Sequence, residues 1–185
     1  MTDVNFKPAV PPVAGDRSNA GDRLDGSGGE ETLPYDLIEL LFFAYRDFTK
    51  DPDDVLAQYE FGRAHHRVLH FVDRNPGVMV TDLLGILRIT KQSLGRVLKQ
   101  LVDAEIIEQR EGHHDRRQRL LYTTERGHDL AVDLTRLQQK RLERALIGMP
   151  DGSEEIVRRF LLQMIDPADH PDVLKLVRSP FDLKD

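Results

Sequence analysis

Apolar positions recur at helical spacing in six stretches of the chain, and one short strand-like segment interrupts them. The first stretch, Pro34–Phe48, is the most apolar: Tyr35, Leu37, Ile38, Leu40, Leu41, Phe42, Phe43, Ala44, Tyr45 and Phe48 leave little room for a polar face. Pro34 suits a first helical turn, and Asp51-Pro52-Asp53-Asp54 reads as a break. A helix apolar on more than one side must be covered on more than one side. In so short a chain, the expected second cover is another copy of itself.

A second helix is predicted over Glu60–Arg74, with Phe61, Ala64, Val68, Leu69, Phe71 and Val72 at helical spacing and Asn75-Pro76-Gly77 as its stop. Thr81–Leu87 reads as a short helix capped by Thr81, with Leu83, Leu84 and Leu87 inward. Arg88-Ile89 make a tight turn, and Thr90 caps the next helix, Lys91 to about Ala104. Two short helices joined in this way have the shape of a helix-turn-helix. Ile106-Ile107, a polar stretch from Glu108 to Gln118, and Leu120–Thr123 then give strand, charged tip and strand: a two-stranded wing. Thr124 caps a long helix on which Leu130, Leu134, Leu137, Arg141 and Ala145 share a face, and Met149-Pro150-Asp151-Gly152 breaks it. A last helix has Asp151 and Glu154 at capping-box spacing and Ile156, Phe160, Leu161, Met164 and Ile165 directed inward. Asp166-Pro167 closes it, with a further turn around Val173–Val177.

The first 33 residues have a different character. Pro8, Pro11, Pro12 and five glycines stand among few bulky apolar residues, too few to offset the entropy of ordering, so an extended arm is expected. The alternative is an arm docked on a partner subunit through Phe6 and Val10. The expected division is an arm over 1–33, a dimerisation helix and linker over 34–58, a winged helix-turn-helix over 59–123 and C-terminal dimerisation helices over 124–185. The fold class is mainly α, with a β-wing.

The chain is 39% hydrophobic and 31% charged, enough apolar surface for a buried core, and it lacks any apolar run of membrane-spanning length. Residues 1–20 lack the features of a secretory signal, so the cytoplasm is the expected location. Without cysteine, thiolate metal sites and thiol switches are excluded. A formal net charge of −6 looks wrong for a nucleic-acid binder until it is divided. Residues 1–60 carry 5 basic and 13 acidic side chains, a net of −8, whereas residues 61–120 carry 11 and 7, a net of +4. Residues 121–185 carry 10 and 12, a net of −2, so the basic excess is central. Phosphate binding needs local positive charge, and acidic flanks do not forbid it.

On the Lys91–Ala104 helix, Leu94, Val97, Leu98 and Leu101 share one arc, and Gln92, Gly95, Arg96 and Lys99 lie opposite. Gln pairs bidentately with adenine and Arg with guanine in the major groove, and Lys99 suits a phosphate. Mid-helix, Gly95 costs about 1 kcal/mol against alanine, a placement that points to a close approach. The plainer reading is a solvated helix face with an accidental glycine. The wing tip tips the balance: His113, His114, Asp115, Arg116, Arg117, Gln118 and Arg119 pack three arginines and two histidines into seven residues. Inserted arginine suits a narrow A·T-rich minor groove. Asp115 is expected to brace the tip by pairing with Arg110 or Arg117.

The stretch Arg67–Gly127 resembles the MarR family (multiple antibiotic resistance regulators), winged-helix transcription factors. The matching pieces are Arg67-Val68-Leu69, Pro76-Gly77, Thr90-Lys91-Gln92-Ser93, Ile106-Ile107-Glu108, Asp115-Arg116-Arg117 and Thr124-Glu125-Arg126-Gly127. Pro34–Phe48 and Glu125–Ile165 are similar in position to the family's dimerisation helices, so the resemblance spans about 34–165. The sequence departs from the family at Glu105, where the family usually has Gly, at Gln109, usually Arg, and at Thr123-Thr124, usually Leu-Thr. The reversal after the recognition helix must therefore be made by a non-glycine residue.

The resemblance implies a homodimer acting on double-stranded DNA, with a pseudo-palindromic operator, as a repressor. It also implies release by a small aromatic or amphipathic anion near the junction of lobe and dimer domain, for which Tyr45, Phe48 and His66 are candidates; the alternative is that these are core or dimer contacts. The expected DNA contacts are Thr90, Lys91, Gln92, Ser93, Gly95, Arg96, Lys99, His113, His114, Arg116, Arg117 and Arg119. His66 and His70 stand four apart, a spacing that can chelate zinc, with His65 adjacent and Glu60 or Asp73 as a possible oxygen ligand. Two histidines without a defined third ligand favour a helix-surface role, so the metal-sensing regulator is the alternative and no metal or cofactor is expected. Enzyme motifs are lacking: there is no Gly-x-Ser-x-Gly, His-Glu-x-x-His or phosphate loop. A winged helix kept only for protein interaction is the other alternative.

Overall fold

A computed structural model describes residues 33–112 and 118–177. The arm and the wing-tip residues His113, His114, Asp115, Arg116 and Arg117 lie outside the described residues. Helix α1 covers Tyr35–Leu56, running eight residues past Phe48 and through Pro52, where the sequence predicts a break. Proline inside a helix removes one hydrogen bond and costs about 3 kcal/mol. Tertiary contacts outweigh that cost. Pro52 and Leu56 are buried, Asp51 pairs with Arg141 at 2.7 Å and Asp53 with Arg63 at 2.8 Å.

Helix α2 covers Arg63–Arg74 and begins three residues later than expected, because Glu60 adopts a left-handed conformation (φ 58°) that ends the preceding 3-10 turn. Strand β1, Val78–Met79, leads straight into helix α3, Val80–Leu87. Strand pairing sets that helix start: its cap is Met79, which makes no side-chain cap bond, and Thr81 lies inside the first turn. Arg88, left-handed at φ 50°, turns the chain towards helix α4, Lys91–Asp103.

Strands β2, Ile107–Glu111, and β3, Arg119–Thr123, form the wing stem in antiparallel register, Ile107 opposite Thr123 and Glu111 opposite Arg119. The sheet has three strands rather than two, in the order β1-β3-β2, with Val78 opposite Leu121. A two-residue strand is too short to show alternation and exists only because β3 offers it a free edge. Gly77 makes the approach: its φ is +83°, its N–H donates to Leu121 O at 2.8 Å, and a Cβ there would lie 2.9 Å from the Tyr122 hydroxyl.

Helix α5 covers Glu125–Leu146 and is capped by Thr124, whose Oγ1 accepts from Gly127 N–H at 3.0 Å, as expected. Helix α6 is Ser153–Gln163 and helix α7 His170–Leu176. The α6 cap is Gly152, at φ +83° and without a side-chain bond, rather than Asp151: the chain needs a left-handed residue there. The core gathers Leu56 from α1, Val68, Leu69 and Val72 from α2, Leu83, Leu94, Leu101, Ile106, Leu121 and Leu134 around the helix-turn-helix. Ile156, Phe160, Leu161 and Met164 are at least half exposed, and so are Leu37, Leu40, Phe42 and Phe43 on α1. Among the described residues, nothing covers the inward face expected for α6.

The reversal after α4 is made by Glu105 at φ +57°. Ile106 N–H donates to Leu101 O at 2.9 Å and Glu105 N–H to Val102 O at 3.0 Å, the doubled bond pattern of a Schellman end. That position favours glycine. Glu105→Gly should therefore raise stability by about 0.5–1 kcal/mol, read as a higher urea midpoint at unchanged slope. A lower midpoint would mean that the Glu105 side chain contributes more than its strained backbone costs.

Candidate nucleic-acid interface

The outward stripe of α4 is positioned from both ends and from behind. At its start Ser93 N–H donates to Thr90 Oγ1 at 3.2 Å, and Thr90 Oγ1–H donates to Ser93 Oγ at 2.9 Å. These two hydroxyls hold the helix start, a local task beside any contact with DNA. From behind, the buried His65 bridges α2 and α4. Its Nδ1 accepts from Gly62 N–H at 3.1 Å, so Nε2 carries the proton and donates to Gln100 Oε1 at 2.9 Å. Phe61 stacks on the imidazole with centroids 4.6 Å apart. Sequence reasoning finds His65 only as a neighbour of His66; the signal available is a histidine one turn into a helix after Gly62, which says nothing about its partner across the fold.

Leu94, Val97, Leu98 and Leu101 are buried, as the helical wheel predicts. Lys91, Gln92, Gly95, Arg96 and Lys99 are all exposed on the other side. Lys99 is held by an ion pair with Asp103 one turn on. Among the described residues, Arg96 makes no ion pair or hydrogen bond, so its five donors stay available for a ligand.

The wing stem adds cations. Arg110 lies over the Tyr122 ring, 4.3 Å from its centroid, and also pairs with Glu108. Arg119 pairs with Glu111 at 3.2 Å. Both pairs are exposed, and such pairs contribute about 0–1 kcal/mol and exchange readily for a phosphate. A groove of about 670 Å³ runs between α4 and β2, bordered by Lys91, Gly95, Lys99, Leu98, Val102 and Ile107. Glu105 and Glu108 border it as well.

The ligand and metal candidates are arranged otherwise. Tyr45 is exposed, with its hydroxyl accepting from Arg67 Nη2 at 2.9 Å and the Arg63 guanidinium 5.8 Å from its ring centroid. Phe48 and His66 are half-buried. Neither the 670 Å³ groove nor a larger cavity of about 1030 Å³, bordered by His70, Phe71, Arg74, Arg88 and α7, includes Tyr45, Phe48 or His66. Burial pushes both His66 and His70 below the ordinary imidazole range, and the neighbouring His70 and Arg67 push His66 the same way. Among the described residues no group of three or more His, Asp or Glu side chains is arranged to hold a metal. Asp73, an oxygen ligand in the zinc alternative, accepts instead from Thr123 Oγ1 at 3.0 Å and from His128 Nδ1 at 2.9 Å.

That last bond fastens α5 to α2 behind the interface and makes it sensitive to pH. The hydrogen bond to Asp73, followed by its charge, raises the His128 pKa. A raised folded pKa gives stability that is complete below the unfolded value, about 6.5, and disappears as pH rises through the folded value. His128→Ala should therefore lower the urea midpoint clearly below about pH 6 and progressively less towards pH 8. A gap that stays constant with pH would assign His128 a packing role alone.

A family model described as "MarR family" matches residues 59–118. The HTH-type transcriptional regulator PetP of Rhodobacter capsulatus is 46% identical over 131 residues, which cover 71% of this chain and 79% of that protein. The chain belongs to the MarR family. It is thus a transcriptional regulator with a winged-helix fold, not an enzyme. Among solved structures, FabT of Streptococcus pneumoniae in complex with DNA is similar with a TM-score of 0.63, 16% identity, and coverage of 70% of this chain and 93% of that one. A putative MarR family transcriptional regulator from Listeria monocytogenes complexed with 26mer DNA is similar with a TM-score of 0.61, 18% identity, and coverage of 77% and 97%. At such identities the likeness concerns the fold. None of the helices among the described residues is long and apolar enough to cross a membrane.

Proposed function

We propose that the protein acts in the cytoplasm as a homodimer that lays one α4 helix into the major groove at each half of a pseudo-palindromic DNA site and represses transcription there. The observation that carries the reading is Arg96, exposed and without a partner among the described residues, set beside Gln92 on a helix whose opposite side is buried. In this reading residues 59–123 form the DNA-binding lobe, and 34–58 and 124–185 form the dimerisation segments. The exposed apolar side chains support that division. Phe42 is 68% exposed, Ile147 79% and Ile156 68%, more apolar surface than a soluble monomer ordinarily leaves in water. A dimer bound across a promoter blocks access to it, hence repression.

Selection from random duplex DNA tests the reading. The expected product is a two-fold symmetric sequence with half-site centres about 10 base pairs apart. Sedimentation at low micromolar concentration should give twice 21.2 kDa, and transcription from a template carrying the selected site should fall on adding the protein. No enriched sequence would hand the fold to the protein-interaction alternative; a stable monomer would remove the two-fold site.

A further inference from the structure

Lys91, Gly95 and Lys99 stand four apart on α4 and so form one stripe, each about 6 Å from the next. All three are exposed. Glycine is the poorest helix former after proline, and at mid-helix it costs about 1 kcal/mol against alanine. Among the described residues no packing calls for glycine at position 95: its φ is not positive, and a Cβ built there would meet nothing within 4 Å. The gap it leaves opens onto the groove between α4 and β2, with Leu98 and Ile107 along the groove. Gln92 and Arg96 lie on the adjacent stripe.

We infer that Lys91, Gly95 and Lys99 form a seat for the sugar–phosphate backbone of one DNA strand, with the missing side chain at Gly95 setting how deeply α4 enters the major groove. The inference rests on the DNA-binding reading above. The two lysines, one turn before and one turn after the bare position, take the phosphates on either side of it. Lys99 exchanges its exposed partner Asp103 for a phosphate. The other end of the groove carries Asp103, Glu105 and Glu108. These carboxylates repel a phosphate and confine the strand to the stretch of α4 from Lys91 to Lys99. A side chain at 95 would hold the strand off and draw Gln92 and Arg96 back from the base edges.

The test uses the full chain and its Gly95→Ala and Gly95→Leu variants, each measured for thermal unfolding and for affinity to a selected operator and to a random duplex. Both variants should melt no lower than the parent, Gly95→Ala about 2–4 °C higher, because helix propensity improves and nothing clashes. Gly95→Leu should bind both the operator and the random duplex at least tenfold more weakly, with Gly95→Ala in between, because a strand held off the seat weakens binding whatever its sequence. Unchanged affinity for both duplexes in both variants overturns the seat, as does a loss confined to the operator, which would put Gly95 beside a base. If Gly95→Leu melts lower than the parent, the Gly95→Ala affinities decide between the same outcomes. A parent protein that binds no duplex at all overturns the DNA-binding reading itself, a result distinct from either.

Discussion

Gly127→Ala should destabilise the protein by about 3 kcal/mol, the upper end of what overpacking a core costs, or leave it unfolded at room temperature. A Cβ at Gly127 would stand 2.0 Å from the carbonyl oxygen of Ile106, a backbone atom that cannot swing aside. That oxygen is already fixed, since it accepts from Thr124 N–H at 3.1 Å, while Thr124 Oγ1–H donates to Glu105 O at 2.7 Å. Relief would have to come from lifting the start of α5 off Ile106, the residue before β2, which breaks the Thr124 cap and exposes Ile106. Gly85→Ala is the natural control. Gly85 lies inside α3, and among the described residues nothing comes within 4 Å of its Cβ position. This variant should move the other way, gaining about 0.5–1 kcal/mol of helix propensity. Urea unfolding of the two variants beside the parent checks both signs. A Gly127→Ala protein as stable as the parent would mean that the contact between α5 and Ile106 is looser than its geometry.

Gly127 also shows what sequence reasoning reaches. Thr124-Glu125-Arg126-Gly127 is legible as a helix start, because a capping threonine needs only local chemistry. Why the fourth residue is glycine is not, since the atom that excludes a side chain sits 21 positions earlier. The same boundary separates the other outcomes. α4 follows from periodicity and its Thr90 cap, both local. The break expected at Asp51-Pro52 fails because Pro52 and Leu56 are buried and because Arg141 and Arg63 reach that turn from other helices, which together outweigh the proline. β1 has no pattern to read, being two residues long and formed only by its partner strand. On α6, Ile156, Phe160 and Met164 keep helical spacing whether their cover comes from the same chain or from another copy. A spacing rule says that a face is buried and is silent on what buries it. The basic stripe of α4 is legible for the converse reason: exposed side chains answer to what comes from outside, so the structure hardly rearranges them.

Arg96 and Lys99 should separate reading from holding. Arg96 has no partner among the described residues, and a bidentate arginine–guanine contact discriminates against the wrong base by about 1–3 kcal/mol. Arg96→Ala should therefore weaken binding to the selected operator by that amount for each half-site engaged, and weaken binding to random DNA far less. Lys99→Ala should weaken both duplexes alike and lower the salt slope by about one unit for each phosphate left without its cation. The ion pair to Asp103 adds a third variant whose sign is opposite. Asp103→Ala frees Lys99 and removes a carboxylate from the edge of the groove, so both duplexes should bind more tightly, by about threefold at low salt and less as salt screens the change. The three variants form one titration experiment on two duplexes at several salt concentrations. If Arg96→Ala lowers operator and random affinity equally, Arg96 holds phosphate and base reading falls to Gln92. If Asp103→Ala weakens binding, the carboxylate positions Lys99 for the strand instead of competing with it, and the pair acts on DNA as a unit.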